Sequence, residues 1–396
     1  MHLGIALDGA GWHPAAWREP DAMPGELFTA GYWVDAVTEA ERGQADFVTF
    51  EDALTLQSAH PGRPDARVDQ VRGRLEAVQL AARVAPLTRH IGLIPTVVAT
   101  HTEPFHSSKA IATLDYVSTG RAGVRVRVSA RPDEAAHFGR RQILAPPDQD
   151  TDGPAARQQA SDLLDEAADY VEVIRRLWDS WEDNAEIRHV PTGRFIDRDK
   201  LHYIDFEGRW FAVKGPSITP RPPQGQPLVA ALGHGDLGYW FIGRAADLAF
   251  VTPRDPDQAQ AAIAGIRAAQ AAVGRAEESL LVLADLLVFL DAEPGTAAAR
   301  KARLDELAGR ERVSDAAMFA GTPAQLADLM ASWEARTGLS GFQLRPGAIP
   351  HDLTAITRGL VPELQLRGVF RSGYQGDGTL RGRFGLPRPA SRYAAA

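Results

Sequence analysis

Eight short apolar segments of this 396-residue chain alternate with stretches of helical periodicity, and that alternation constrains the fold more than any other feature. Strands are predicted at 3–7, 46–51, 91–98, 122–129, 228–232, 247–252, 279–290 and 341–345. Helices are predicted near 30–43, 71–86, 105–117, 161–183, 236–246, 256–273, 296–310 and 323–336. Strands joined by helical crossovers run parallel. Eight such units in one chain fit a closed α/β barrel of the (β/α)8 type better than an open, doubly wound sheet. The expectation is one barrel domain over 1–366, with insertions near 130–160 and 184–225 placed over the C-terminal face of the strands. The first insertion is rich in Pro, Asp and Gln, the second in Pro, Gly and aromatics. The Gly-rich tail, 367–396, has loop chemistry and is expected to wrap the barrel or a partner subunit.

Composition narrows the chemistry. A net charge of -8 and a pI near 5.8 argue against a nucleic-acid or anionic-membrane surface, which needs clustered Lys and Arg. The chain has no cysteine, which excludes disulfides, thiolate nucleophiles and cysteine-ligated zinc or iron–sulfur centres. Any electron transfer therefore needs an organic cofactor or a metal held by other ligands. Met1 to Leu7 lacks the basic start and long apolar core of a secretory signal. The longest apolar stretch, Leu280 to Leu290, is interrupted by Asp285 and falls short of the roughly 20 residues that span a bilayer. A cytoplasmic protein with a small-molecule substrate is expected.

From Leu114 the chain reads Leu114-Asp115-Tyr116-Val117-Ser118-Thr119-Gly120-Arg121-Ala122-Gly123, a helix stop running directly into the alternating strand that ends at Ser129. After the first strand comes Gly11-Trp12-His13-Pro14-Ala15-Ala16-Trp17-Arg18, and further on Ala136-His137-Phe138-Gly139 and Phe211, Val213 and Gly215-Pro216. In these segments and their order the chain resembles the bacterial luciferase-like flavin monooxygenases, in the group containing nitrilotriacetate monooxygenase and the pristinamycin synthase large subunit. The resemblance implies a barrel that binds reduced FMN, supplied by a separate flavin reductase, and oxidises a small organic substrate with O2. It also implies a homo-oligomer. Three positions depart from the family pattern. Val124-Arg125 stands for Trp-Asn on strand four, Leu163-Leu164 for Arg-Tyr on the long helix, and Gly233-His234-Gly235-Asp236 for a Ser-bearing loop. These departures keep two alternatives open: a deazaflavin-dependent oxidoreductase of the same fold, and a non-catalytic, flavin-free paralogue.

Residues leaving the C-terminal ends of barrel strands face the pocket. By resemblance Asp52, after strand two, and Thr96, on strand three, lie beside the flavin ring; their alternatives are a helix-capping acid and an ordinary strand residue. Arg125, Arg127 and Ser129 share one strand face. Two arginines inside a barrel need anions, whether a phosphate, a substrate carboxylate or Glu and Asp side chains. Ser129 is placed to donate to the cofactor. His234 and Gly235 open a helix whose N-terminal amides suit a phosphate, although Asp236 opposes one. His13 and His101 are read as the catalytic histidines, able to donate to substrate or flavin oxygen and to exchange protons near neutrality, or else as polar pocket wall. The spacing of His101 and His106 does not fit a helical zinc motif, and no metal is expected. Glu51 and Asp52 face opposite ways on their strand and cannot act as a hydrolytic pair.

Overall fold

The computed structural model describes residues 1–58, 64–143, 153–376 and 378–394. Eight parallel strands close into a barrel: β1 (His2–Leu7), β2 (Phe47–Phe50), β3 (Gly92–Val98), β4 (Gly123–Arg127), β5 (Leu228–Leu232), β6 (Leu248–Val251), β7 (Leu281–Leu290) and, last, β9 (Gly341–Pro346). The ring is shut by one register far apart in sequence, Gly4 beside Gln343, and completed by the neighbouring pair Leu248 beside Leu281. One further strand, β8 (Ala317–Gly321), pairs with Leu286–Leu290 of β7. It takes up the edge of β7 where β6 has ended, and so widens the sheet only toward its C-terminal end.

Helices α1 (Ala30–Arg42), α2 (Ala77–Val84), α3 (Pro104–Val117), α4 (Pro132–Phe138), α5 (Pro154–Asp179), α6 (Gly235–Ala245), α7 (Pro256–Ala272), α8 (Thr296–Ala308) and α9 (Pro323–Thr337) follow the strands. Their starts follow local chemistry. The Thr29 hydroxyl accepts from the Tyr32 amide at the head of α1, and Thr322 and Gln325 form a reciprocal capping box on α9. On α1 the buried residues Tyr32, Trp33, Ala36, Val37 and Ala40 make one stripe at helical spacing and seal the outer faces of β1 and β2.

The segment 184–225 contains two short hairpins on the flank of α5. At the second, Arg209 donates to Asp162 at 3.0 Å and Phe211 packs near Phe105, which brings this segment up to the C-terminal rim. The tail runs the other way. Leu380, Phe384 and Leu386 join Phe47, Ile94, Leu228, Phe250 and Leu283 in an apolar plug at the N-terminal end of the barrel. Gly92 admits Leu380 there, because a Cβ would lie 2.4 Å from its Cδ1. Gly4 likewise leaves the barrel axis to the ring of Phe47, 2.2 Å from where a Cβ would stand.

Candidate active site

Two residues beyond the plug, on the same strand faces, the barrel interior becomes polar. Arg125 on β4 is ion-paired with Glu51 at the end of β2. Arg345 on β9 donates through Nε to Asp285 on β7 at 2.9 Å and through Nη1 to Asp315 at 2.6 Å. Gln343 donates to Asp285 at 3.1 Å and accepts from Thr49 at 3.4 Å. The Trp12 ring lies over the Arg345 guanidinium, 4.5 Å from centroid to Cζ, with its own N–H on the carbonyl of Ala6 at 2.8 Å. Burial pushes the Arg125 pKa down to about 10 and pushes that of Asp285 up, the latter against the pull of Arg345 and Arg125. Burial also acts to raise Asp315, but the charge and hydrogen bond of Arg345 together hold it at about 2. Charges placed so deep are costly to desolvate and contribute little net stability. Their use is to fix a polar mouth.

That mouth opens into two connected cavities. The inner one, about 320 Å³, lies over the barrel and is lined by Glu51, Arg125, Arg127, Glu134, Leu232 and Arg345 among others. The outer one, about 590 Å³, lies between the His13 loop and residues 308–315. Ser58, Arg131 and Asp315 line both. A separate side cavity of about 210 Å³ sits between the His101 loop, Phe138 and Phe211.

The residues singled out from the sequence are divided among these places. Arg125 lines the inner cavity. Thr96 is buried, faces the barrel interior beside Arg125, and its hydroxyl has no partner among the described residues. Asp52 is spent on backbone: its carboxylate accepts from Ala53 at 2.8 Å and from Ala77, the first residue of α2, at 3.0 Å, while burial raises its pKa. Its carbonyl accepts from Arg127 at 2.7 Å. The Ser129 amide donates to the Thr100 hydroxyl at 2.9 Å and its Oγ accepts from the Arg131 amide. His234, hydrogen-bonded to Thr252 at 3.0 Å, precedes Gly235, which opens α6 at φ +60° with no side-chain cap and free space around it.

The two histidines differ. His13 lines the outer cavity with both ring nitrogens engaged, Nε2 with Asp305 at 3.0 Å and Nδ1 accepting from the Ala15 amide at 3.1 Å; burial lowers its pKa despite Asp305. His101 lines the side cavity, stacked on Phe138 with ring centroids 5.1 Å apart. Its Nε2 is buried without a partner among the described residues, and burial, then Arg141, lowers its pKa. Among the described residues no group of three or more His, Asp or Glu is arranged to hold a metal, and no helix is long and apolar enough to cross a membrane.

Sequence reasoning missed Glu134, whose carboxylate oxygens are buried at the inner cavity without hydrogen bonds, and Arg345, Asp315 and Arg312. Asp285 did leave a signal, as the single acid inside an apolar run.

The family model for luciferase-like monooxygenases matches residues 10–356. The chain is 31% identical to N-acetyl-S-(2-succino)cysteine monooxygenase of Bacillus subtilis (strain 168), across 100% of this chain and 98% of that one. It is 29% identical to nitrilotriacetate monooxygenase component A of Aminobacter aminovorans, with the same coverage. Among solved structures, EDTA monooxygenase from Chelativorans sp. BNC1 superposes with a TM-score of 0.80 at 24% identity, covering 98% of this chain and 99% of that one, which shows a shared fold.

Proposed function

The chain belongs to the luciferase-like monooxygenase family, and on that premise we propose that it oxygenates a small organic substrate with O2 and reduced FMN delivered by a separate flavin reductase. The observation that carries this reading is the Thr96 hydroxyl, a buried polar atom inside the barrel beside Arg125 that has no partner among the described residues, where a ligand reaching past Arg125 would complete its hydrogen bonding. The rim around it fits a flavin. The start of α6 at His234 and Gly235, uncapped by a side chain, offers its amides to the phosphate although Asp236 follows, and Arg127, whose guanidinium meets a carbonyl but, among the described residues, no carboxylate, adds a cation. When bound, reduced FMN supplies the electrons that activate O2.

The residues of the chain do the rest. Thr96 orients the ring edge, and the Arg125–Glu51 pair presents fixed hydrogen-bonding groups to the inner cavity. His101, open at Nε2, is the histidine able to exchange a proton, whereas His13 is held by Asp305 and shapes the wall. The tie of Arg125 to Glu51 also favours FMN over the deazaflavin, because one of the two arginines that would suit a longer acidic cofactor tail is already neutralised. The Aminobacter relative's designation as a component A supports a reductase partner for this chain as well.

The test is an anaerobic titration of the protein with reduced FMN and, in parallel, with the reduced deazaflavin. Preferential FMN binding is the expected result. Preference for the deazaflavin would reassign the chain to hydride transfer, and binding of neither would favour the flavin-free paralogue.

A further inference from the structure

The arginines around the two connected cavities differ in how their charge is met. Arg125 has Glu51, Arg345 has Asp285 and Asp315, Arg74 forms a two-point pair with Asp8 at 3.0 and 2.7 Å, and Arg131 forms one with Asp133 at 3.0 and 2.6 Å. Arg312 is different. It follows α8 and lines both the outer cavity and a smaller one of about 170 Å³ under the His13 loop. Among the described residues its guanidinium makes no hydrogen bond and no ion pair, and its Nε is withdrawn from solvent. A buried donor of this kind is costly until an acceptor reaches it, and a planar guanidinium is matched by a carboxylate, which takes two of its N–H groups at once.

The position of Arg312 is fixed by its backbone. Its amide donates to Asp305 at 2.7 Å, and the same carboxylate oxygen binds His13 Nε2 at 3.0 Å. Asp305 thus sets the Arg312 backbone and the His13 ring on one wall. The acids of the outer cavity make no hydrogen bond or ion pair with the guanidinium among the described residues, although the charge of Asp315 acts on it. Asp315 is taken by Arg345, and Glu311 turns outward toward Lys301, 3.7 Å away.

We propose that the outer cavity is the carboxylate-recognition half of the substrate site, with Arg312 binding one carboxylate of a di- or tricarboxylic acid whose remainder passes Ser58, Arg131 and Asp315 into the inner cavity. At about 590 Å³ the outer cavity is within the range of small-molecule sites. Only the delivery of oxygen in the inner cavity rests on the flavin reading above; anion binding at Arg312 stands without it.

Calorimetric titration of the full chain, free of flavin, with propane-1,2,3-tricarboxylate and with the neutral propane-1,2,3-tricarboxamide separates the cases. The wild type binds the triacid and not the triamide; Arg312→Gln weakens the triacid at least about tenfold, the loss expected for one charge-assisted contact. Arg312→Lys, which keeps the charge but not the fork, lies between. Arg198→Gln, on an exposed turn far from the cavity, matches the wild type. Among the described residues Arg312 has no side-chain partner to lose, so the variants are expected to fold; an unchanged thermal midpoint checks this. Equal binding of the triamide, no binding of the triacid to the wild type, or a loss under twofold in Arg312→Gln would each overturn the inference. The same preparations are titrated with reduced FMN. FMN binding without triacid binding overturns the carboxylate site alone, and triacid binding without FMN binding overturns the flavin reading alone.

Discussion

At the N-terminal end of the barrel, Phe47, Ile94, Leu228, Phe250 and Leu283 meet Leu380 from the tail in a dry, apolar plug. Two positions along the same strands, Thr49, Thr96, Arg125, Ala230 and Asp285 line a layer that is mostly polar and ends in a charged mouth. Both layers are buried, so the contrast is not one of inside against outside. The plug gains stability from every apolar area it removes from water, whereas the upper layer spends part of that gain on desolvated charge and on the Thr96 hydroxyl without a partner. One end of the barrel holds the fold, and the other is left unsatisfied, as the proposed ligand site requires.

The comparison breaks first at the plug. Phe250→Ala is expected to cost about 3–5 kcal/mol in urea unfolding, because it empties the barrel floor, while ligand binding by the folded fraction stays unchanged; a cost under about 1 kcal/mol would mean the plug is not the stabilising end. In the upper layer, Asp285→Ala strands part of the Arg345 charge and is expected to cost about 3 kcal/mol. Asp285→Leu combined with Arg345→Met should recover much of that loss, since the pair is there to shape the mouth; additive losses would refute this. Thr96→Val is smaller and of opposite sign. It removes an unsatisfied hydroxyl, so the ligand-free protein gains up to about 1 kcal/mol while reduced FMN binds more weakly; destabilisation together with unchanged FMN binding would place Thr96 outside the site.

The smallest expected effect is on pH dependence. Burial lowers the pKa of His13 and His101, so below the ordinary value of 6.5 the unfolded chain takes up protons that the folded chain refuses, and their contribution to stability falls with acidification. Asp115 acts in the reverse direction. Burial raises its carboxyl to about 6, so between there and its ordinary value of 3.8 the folded chain holds a proton that the unfolded chain releases, and stability is gained. His101→Phe, which keeps the stack on Phe138, should flatten the loss between pH 7 and 5 in urea midpoints; an unchanged slope would show that His101 is not held neutral by the fold.

Much of the barrel was legible because strand and helix periods are local. The predicted fifth strand, 228–232, coincides with β5, and the predicted third, seventh and eighth strands end within a residue of β3, β7 and β9. The second helix was predicted from 71 but begins at Ala77, because Arg72 and Arg74 are drawn away to Asp65 and Asp8 and Glu76 caps the later start. Strand β8 was missed. It is short, its residues are only partly covered, and its partner is the upper edge of β7. The site was harder to read for a related reason. The alternation of Arg125 and Arg127 showed that charges faced inward, but the groups that answer or fail to answer them, Glu51, Asp285 and Asp315, come from other strands and loops, and no local pattern records such meetings.

The tail plug also sets the order of events on the ribosome. Strands β1 to β7 emerge long before β9, which closes the ring, and the floor of the ring is completed only by Leu380, Phe384 and Leu386. Until β9 and these side chains have emerged, the chain therefore carries an open sheet with an uncovered apolar end, a surface that invites association with other chains or capture by chaperones. Pairing of β9 with β1 closes that sheet, and Leu380, Phe384 and Leu386 then cover its apolar end.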